Sequence, residues 1–265
     1  MTSSILEAVN VSKVLGTGPA RVQALKNVSL TLKGGNLTVL IGPSGSGKTT
    51  LLSILGCMLS PTDGTVRVCG TSIHGARPEE LAKLRREHIG FVFQSYHLFT
   101  TLTVAENVRL ALDVRGERGH EAKSKTEEVL SSVGLISKLG SFPRQLSGGE
   151  QQRVAIARAI VAEPSAILAD EPTASLDSAN GHEIMAILSA IAKNRNRAVL
   201  VVTHDPRLFQ FADRILQIED GALTNVEPAM RPPLVVVSSA DDGYPHGEWR
   251  KEKFFLSSMT PNKVP

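Results

Sequence analysis

Aromatic side chains are scarce: Phe, Tyr and Trp make up 4% of the 265 residues, with one tryptophan, Trp249, and none of the three before Phe91. The charge is also small, 29 − 26 = +3, and is spread without a basic block. A nucleic-acid binder needs stacking platforms and a cationic track, so both scarcities argue against one. Two cysteines, Cys57 and Cys69, are too few for a disulfide framework or a metal cluster, and are expected as buried free thiols in a reducing cytosol. No apolar stretch approaches the ~20 residues that span a bilayer. The longest candidates, Leu37–Ile41 and Ala198–Val202, have the length of buried strands. The first thirteen residues lack the basic and long apolar regions of a secretion signal, so a soluble intracellular chain is expected. Apolar residues at 42% and charged residues at 21% exclude wholesale disorder.

What is present divides the chain unequally. Residues 1–225 alternate apolar runs with turn signals and are expected to form one domain. The last 40 residues, 226–265, hold six of the fourteen prolines and balanced charge, five acids against five bases, without a helical period. They are expected as a flexible tail, with a docked peptide through 234–237 or 254–256 as the alternative. Within the domain, Val28, Leu30 and Leu32 alternate with polar neighbours as in a half-buried strand that ends at Gly34-Gly35-Asn36. Val66 and Val68 alternate likewise after a turn at Asp63-Gly64. Four near-continuous apolar runs, Leu37–Ile41, Ile89–Phe93, 166–169 and Ala198–Val202, read as strands covered on both faces. Helix formers fill 104–112 and 122–135, and 215–218 with Ala222-Leu223 around Asp220-Gly221 reads as a closing hairpin. Strands, then helices, then strands imply an α/β fold with a mostly parallel sheet and a helical insertion at about 96–160.

Gly42-Pro43-Ser44-Gly45-Ser46-Gly47-Lys48-Thr49 fits the P-loop pattern G-x-x-x-x-G-K-[ST], between an apolar strand and a helical stretch at 50–57 that opens with Thr50. Its glycines allow a tight turn whose N–H groups point inward at phosphate oxygens, and the helix start adds its positive dipole end. Lys48 can reach the β- and γ-phosphates of ATP, and the Thr49 hydroxyl can ligate Mg²⁺. Further along, an apolar strand ends in Asp170-Glu171. Two acids after a strand are most often loop residues facing solvent. Beside a P-loop they read instead as an Mg²⁺ ligand, Asp170, and a residue that polarises water, Glu171.

Leu146-Ser147-Gly148-Gly149-Glu150-Gln151-Gln152-Arg153 resembles the signature of ATP-binding-cassette (ABC) ATPases, with its companions in order. Gln94 stands where the family's Q-loop lies, Ala174-Ser175-Leu176-Asp177 resembles the D-loop, and His204 resembles the switch histidine. The likeness covers about residues 5–225, and the family fold implies an N-terminal antiparallel β subdomain and an inserted helical subdomain. Ser147 with Val154, Ala157 and Val161 on one helical face puts Gly148 and Gly149 near a helix N-terminus, an anion-binding position. The resemblance implies that two subunits meet head to tail in the ATP-bound state, so that Ser147, Gly148, Gly149, Glu150 and Asp177 of one face the nucleotide of the other. It also implies Gln94 beside Thr49 and Asp170 at Mg²⁺, and His204 beside Glu171 in catalysis of ATP hydrolysis. The six other histidines, His97 included, are expected as surface or packing residues.

The pattern around Leu84-Arg85-Arg86 and Gly90 to Leu98 looks like the branch that serves lipoprotein release and macrolide export, the LolD/MacB branch. That implies a separate transmembrane permease subunit, contacted through 95–99 and 102–107, at the cytoplasmic face of the inner membrane. The rival expectation is a mechanical or signalling module that passes the ATP state to a cell-envelope partner. Coiled-coil chromosome ATPases are excluded because only 98 residues separate Lys48 from Ser147, and translation-type ATPases because there is one cassette. The chain departs from the family in two places. Ser12-Lys13-Val14-Leu15-Gly16, expected as the loop after the first strand, has no aromatic to stack on adenine, and relatives generally lack the tail.

Overall fold

The computed structural model describes residues 4–226, and the tail at 227–265 lies outside them. In chain order the elements are β1 Ser4–Leu15, β2 Val22–Lys33, β3 Leu37–Ile41, α1 Lys48–Leu55, β4 Asp63–Val68, β5 Thr71–Ser72, α2 Pro78–His88, β6 Ile89–Phe93, α3 Val104–Val114, α4 Gly119–Ser132, α5 Gly148–Ile160, β7 Ala166–Asp170, α6 Ser178–Ala192, β8 Ala198–Val202, β9 Arg214–Glu219 and β10 Ala222–Val226.

Two sheets organise them. The first is antiparallel, in the order β2-β1-β4-β5, and the second runs β10-β9-β3-β8-β7-β6. In the second sheet every pairing is parallel except the closing hairpin of β9 and β10. The runs β3, β7 and β8 are buried almost throughout because α1 with the antiparallel sheet covers one face and α5 and α6 the other, which is why they carry apolar residues at successive positions. Cores lie on each side. One joins the antiparallel sheet, α1 and side chains such as Leu40, Leu168 and Leu200, and the other packs Val39, Ile167 and Val201 against Ile156, Ile184 and Leu188. A third cluster, with Val104, Val108, Leu112, Leu130, Val154 and Ala157, ties α3, α4 and α5 into a helical layer.

The expected strands and helices are present, with four corrections. Cys57 is buried but Cys69 is exposed. It occupies the turn joining β4 to β5, where Cys69 (φ 48°) and Gly70 (φ 82°) take the two left-handed positions of a type I′ hairpin and project to solvent. Residues 12–15 are not a loop: β1 continues to Leu15, whose register partner is Val22. Asp63-Gly64 begin β4 rather than preceding it, because β4 pairs with β1 as far as Ser12 opposite Asp63. The helix after the P-loop begins at Lys48 and ends at Leu55.

Candidate functional site

Parallel strands share a direction, so their carboxyl ends form one rim, where open α/β sheets place ligands. Register puts Phe93 beside Asp170 and Asp170 beside Val202, while Leu40 lies beside Val202 from the other side. Gln94, Glu171, Thr203 and the P-loop therefore leave the sheet at the same edge. The fold brings together from distant sequence the groups that the motifs singled out.

The P-loop links β3 to α1. Gly47, the N-cap of α1, has φ 102°, and a Cβ there would lie 2.5 Å from the Ala24 carbonyl oxygen, so only glycine fits. The Lys48 ammonium donates to the carbonyls of Gly42 and Pro43 at 2.8 and 2.7 Å. Ser46 is buried and its hydroxyl has no partner, although its carbonyl accepts from the Gly221 N–H at 3.1 Å. Pro43, Ser44, Gly45 and Thr49 are exposed, and Thr50 is half-buried on the first turn of α1.

The Thr49 hydroxyl donates to Asp170 Oδ2 at 3.4 Å, the long end of a hydrogen bond. Burial holds the Asp170 carboxyl above its ordinary range, and the adjacent Glu171 carboxylate adds to this; the Thr49 hydroxyl and Lys48 charge act the other way. Two hard oxygens on a carboxyl that resists ionisation fit a divalent cation, which would relieve the repulsion. Among the described residues no cluster of three or more His, Cys, Asp or Glu could hold a metal unaided, so further ligands would have to come from nucleotide or water.

Glu171 sits one residue past β7 with φ 48°, left-handed for a residue that has a Cβ. Its N–H donates to the Val202 carbonyl at 2.9 Å, and its carbonyl accepts from Ala174. The side chain is largely buried, at 17% exposure, and Oε1 lies 2.8 Å from Nδ1 of His204, which is 71% exposed. Gln94 is exposed at the end of β6.

A second group forms at the start of α5. Ser147 caps the helix, its hydroxyl accepting from the Glu150 N–H at 3.2 Å while Glu150 accepts from the Ser147 N–H at 2.8 Å. That backbone donor, chiefly, holds Glu150 below its ordinary carboxylate range, and Lys138 at 3.4 Å also lowers it. A Cβ on Gly149 would collide with the Asn180 side-chain oxygen, and one on Gly148 would lie 2.9 Å from the Tyr96 hydroxyl. Asp177 caps α6 and accepts from the backbone and side chain of Asn180 at 2.9 and 2.6 Å. Among the described residues no hydrogen bond joins the Ser147–Glu150 group to residues 42–49 of the same chain.

Three residues to which the motif reading gave no role of their own shape these loops, although Gln152 stands within the signature run and Asn107 within 102–107. Arg158 donates to the carbonyls of His97 and Tyr96 at 2.6 and 2.8 Å, holding two successive left-handed residues, and the His97 ring packs 4.7 Å from that of Phe93. Asn107, fully buried, accepts from Phe99 N–H and donates to the carbonyls of Phe99, Leu102 and Thr103. Gln152, also fully buried, donates to the Pro172 carbonyl. For Arg158 and Asn107 the sequence signal is a polar residue on an otherwise apolar helix face, and for Gln152 it is its place in the signature run.

Residues 25–174 match the family model described as ABC transporter. The macrolide export ATP-binding/permease protein MacB of Salmonella typhimurium is 44% identical over 227 residues, covering 86% of this chain and 35% of that protein. Its namesake in Escherichia coli K12 is 42% identical over 226 residues, covering 85% and 35%. The chain thus spans about a third of the length of the curated relatives it matches. Among solved structures, the dimeric ATP-binding cassette MJ0796, in a post-hydrolysis state with ADP and Pi, has a TM-score of 0.76 at 40% identity, covering 84% of this chain and 99% of that one. The cassette cbiO1 of Clostridium perfringens, described as part of the ABC transporter complex cbiONQ, has a TM-score of 0.74 at 28% identity, covering 83% and 87%.

Proposed function

The chain belongs to the ABC transporter family, and from that premise we propose that this ATPase powers export or release of a substrate through a separate membrane permease. It is an ABC ATPase cassette, and the family binds ATP. The observation that carries the reading is the pairing of Glu171 with His204 at 2.8 Å, next in the chain to Asp170, whose carboxyl meets Thr49 of the P-loop.

In this reading residues Gly42 to Thr50 enclose the phosphates with N–H groups and the dipole of α1, and Lys48 leaves its two loop carbonyls for phosphate oxygens. Thr49, Asp170 and Gln94 would hold Mg²⁺, which would supply neutralisation of phosphate charge. Glu171 orients and polarises the attacking water, and His204 fixes the Glu171 carboxylate and contacts the γ-phosphate. The helix start at Ser147, Gly148 and Gly149, with Glu150 and Asp177, serves the nucleotide of a second copy. The dimeric state described for MJ0796 supports this. ATP closes the pair and hydrolysis reopens it.

The permease and its cargo rest on relatives. The MacB proteins are described as ATP-binding/permease proteins for macrolide export, and we extend an export or release role to this chain, with the ATPase at the cytoplasmic face of the membrane. Among the described residues no helix is long and apolar enough to cross a membrane. The loop at 95–99, clamped by Arg158 and Asn107 and presenting Phe99 at 53% exposure, is the proposed permease contact. The test is Glu171→Gln, which keeps shape and removes the charge. Turnover should fall at least ~100-fold while an ATP-dependent dimer persists by light scattering. A variant that remains monomeric at millimolar ATP would sink the head-to-tail reading.

A further inference from the structure

Gln152 is a buried amide on α5, five residues beyond the serine that caps that helix. Its exposure is 0%, and Nε2 donates to the Pro172 carbonyl at 2.8 Å. Its Oε1 is buried without a partner. Such an oxygen costs free energy that an apolar side chain of the same size would avoid. The amide orientation is fixed, since a flipped amide would set oxygen against the Pro172 oxygen.

Pro172 follows Glu171, and three bonds set the path of this turn. Glu171 N–H reaches back to β8 at Val202, Glu171 carbonyl accepts from Ala174, and Pro172 carbonyl accepts from Gln152. Only the last comes from α5. From Ser147 to Gln152 the helix advances about 7.5 Å at 1.5 Å per residue, so the two positions move as one rigid segment. A shift of the helix start is therefore delivered to the residue after Glu171. Because Glu171 is held left-handed, with a side chain that must meet His204, a small displacement of its turn redirects the carboxylate.

We propose that Gln152 is a positioning residue that couples engagement of the Ser147-Gly148-Gly149 helix start to the orientation of Glu171 in the same chain. The inference rests on the reading of Glu171 given above and adds a route by which the nucleotide held against one helix start governs hydrolysis in the other site of the dimer. The cost of the unpaired Oε1 is then kept for function, since the donor side of the amide is what the turn requires.

The test is a double-mutant cycle of Gln152→Leu and Glu171→Gln, reading single-turnover hydrolysis and ATP-dependent dimerisation. Gln152→Leu alone should lower turnover about 10- to 100-fold, the scale of a misplaced catalytic group. Half-maximal ATP for dimerisation should stay within about threefold, because no phosphate contact is touched. Added to Glu171→Gln, it should lower the rate by less than about threefold more, since its effect passes through the carboxylate already removed. A purely structural role predicts multiplied losses and weaker dimerisation. Unchanged turnover in Gln152→Leu, or losses that multiply, overturns the inference alone. Near-normal turnover in Glu171→Gln overturns the reading of Glu171 and the inference with it. If Gln152→Leu does not fold, Gln152→Met, unbranched and of similar length, takes its place in the same cycle.

Discussion

Glu171 Oε1 and His204 Nδ1 stand 2.8 Å apart although 33 positions separate them, because β7 and β8 are parallel neighbours whose ends coincide. The carboxylate is largely buried and the imidazole largely exposed. The imidazole therefore faces the open side of the strand rim while its Nδ1 meets the buried acid.

It follows that His204→Ala should be nearly silent for stability and costly for chemistry. With 71% of the side chain exposed, the melting temperature should hold within about 2 °C. Turnover should fall at least ~10-fold, and nucleotide affinity should change little. Scanning calorimetry and single-turnover assays on one preparation check both. Full activity in His204→Ala would remove it from the mechanism.

Asp170 gives a prediction of opposite sign for stability. Its carboxyl is raised in the folded chain by burial and by Glu171, so the folded state binds that proton more tightly than the unfolded chain does. Stability is then lost as pH rises from the ordinary carboxylate value through the raised one, and the penalty persists at neutral pH. Asp170→Asn should raise the melting temperature of the nucleotide-free chain at pH 7, with the gain fading at acidic pH, while Mg²⁺-dependent hydrolysis is lost. A lower melting temperature at pH 7 would contradict this electrostatic account.

The central strands were legible because a sheet covered on both faces must be apolar at successive positions. The P-loop was legible because its glycines answer a backbone demand, as Gly47 shows. Other elements left weaker traces. α2 has no fully buried residue and only a narrow apolar stripe, Leu81 and Leu84 half-buried against the core, and β1 breaks its alternation at register shifts near Asn10. α6 carries Gly181 in its second turn, which lowers helix propensity. The site's motif residues were visible one at a time, but their partners were not. Periodicity can put Gln152 or Arg158 on a buried face, yet only the fold shows that the one meets Pro172 and the other Tyr96 and His97.

Asn107 should be among the least replaceable polar residues of the helical layer. Its amide is fully buried and serves four backbone groups between Phe99 and Thr103. Alanine would take the partner from the Phe99 N–H and the Leu102 carbonyl, while the Phe99 and Thr103 carbonyls keep backbone donors, costing about 2–4 kcal/mol. Thermal melts should show the loss, and hydrogen exchange should show faster opening at 99–103 than in the β3–β8 sheet. Equal protection of that loop in the variant would mean that something else holds it.

Leu15 closes β1 opposite Val22, 38% exposed, beside a cavity of about 340 Å³ lined by Val14, Gly16, Thr17, Gly18, Arg21 and Thr62. If the base lies at this strand end, leucine offers it apolar contact without ring stacking, a difference of roughly 1–3 kcal/mol by analogy with base–aromatic stacking. The phosphate and Mg²⁺ contacts are common to every nucleoside triphosphate, so they should supply most of the affinity. The isolated chain should then bind ATP in the high-micromolar to millimolar range and prefer it to GTP by less than about tenfold. Leu15→Tyr should tighten ATP binding about 5- to 160-fold, the stacking energy expressed as affinity. Calorimetric titration of both proteins with both nucleotides decides the matter. A strong ATP preference in the unaltered chain, or no gain from tyrosine, would place base recognition elsewhere than at the end of β1.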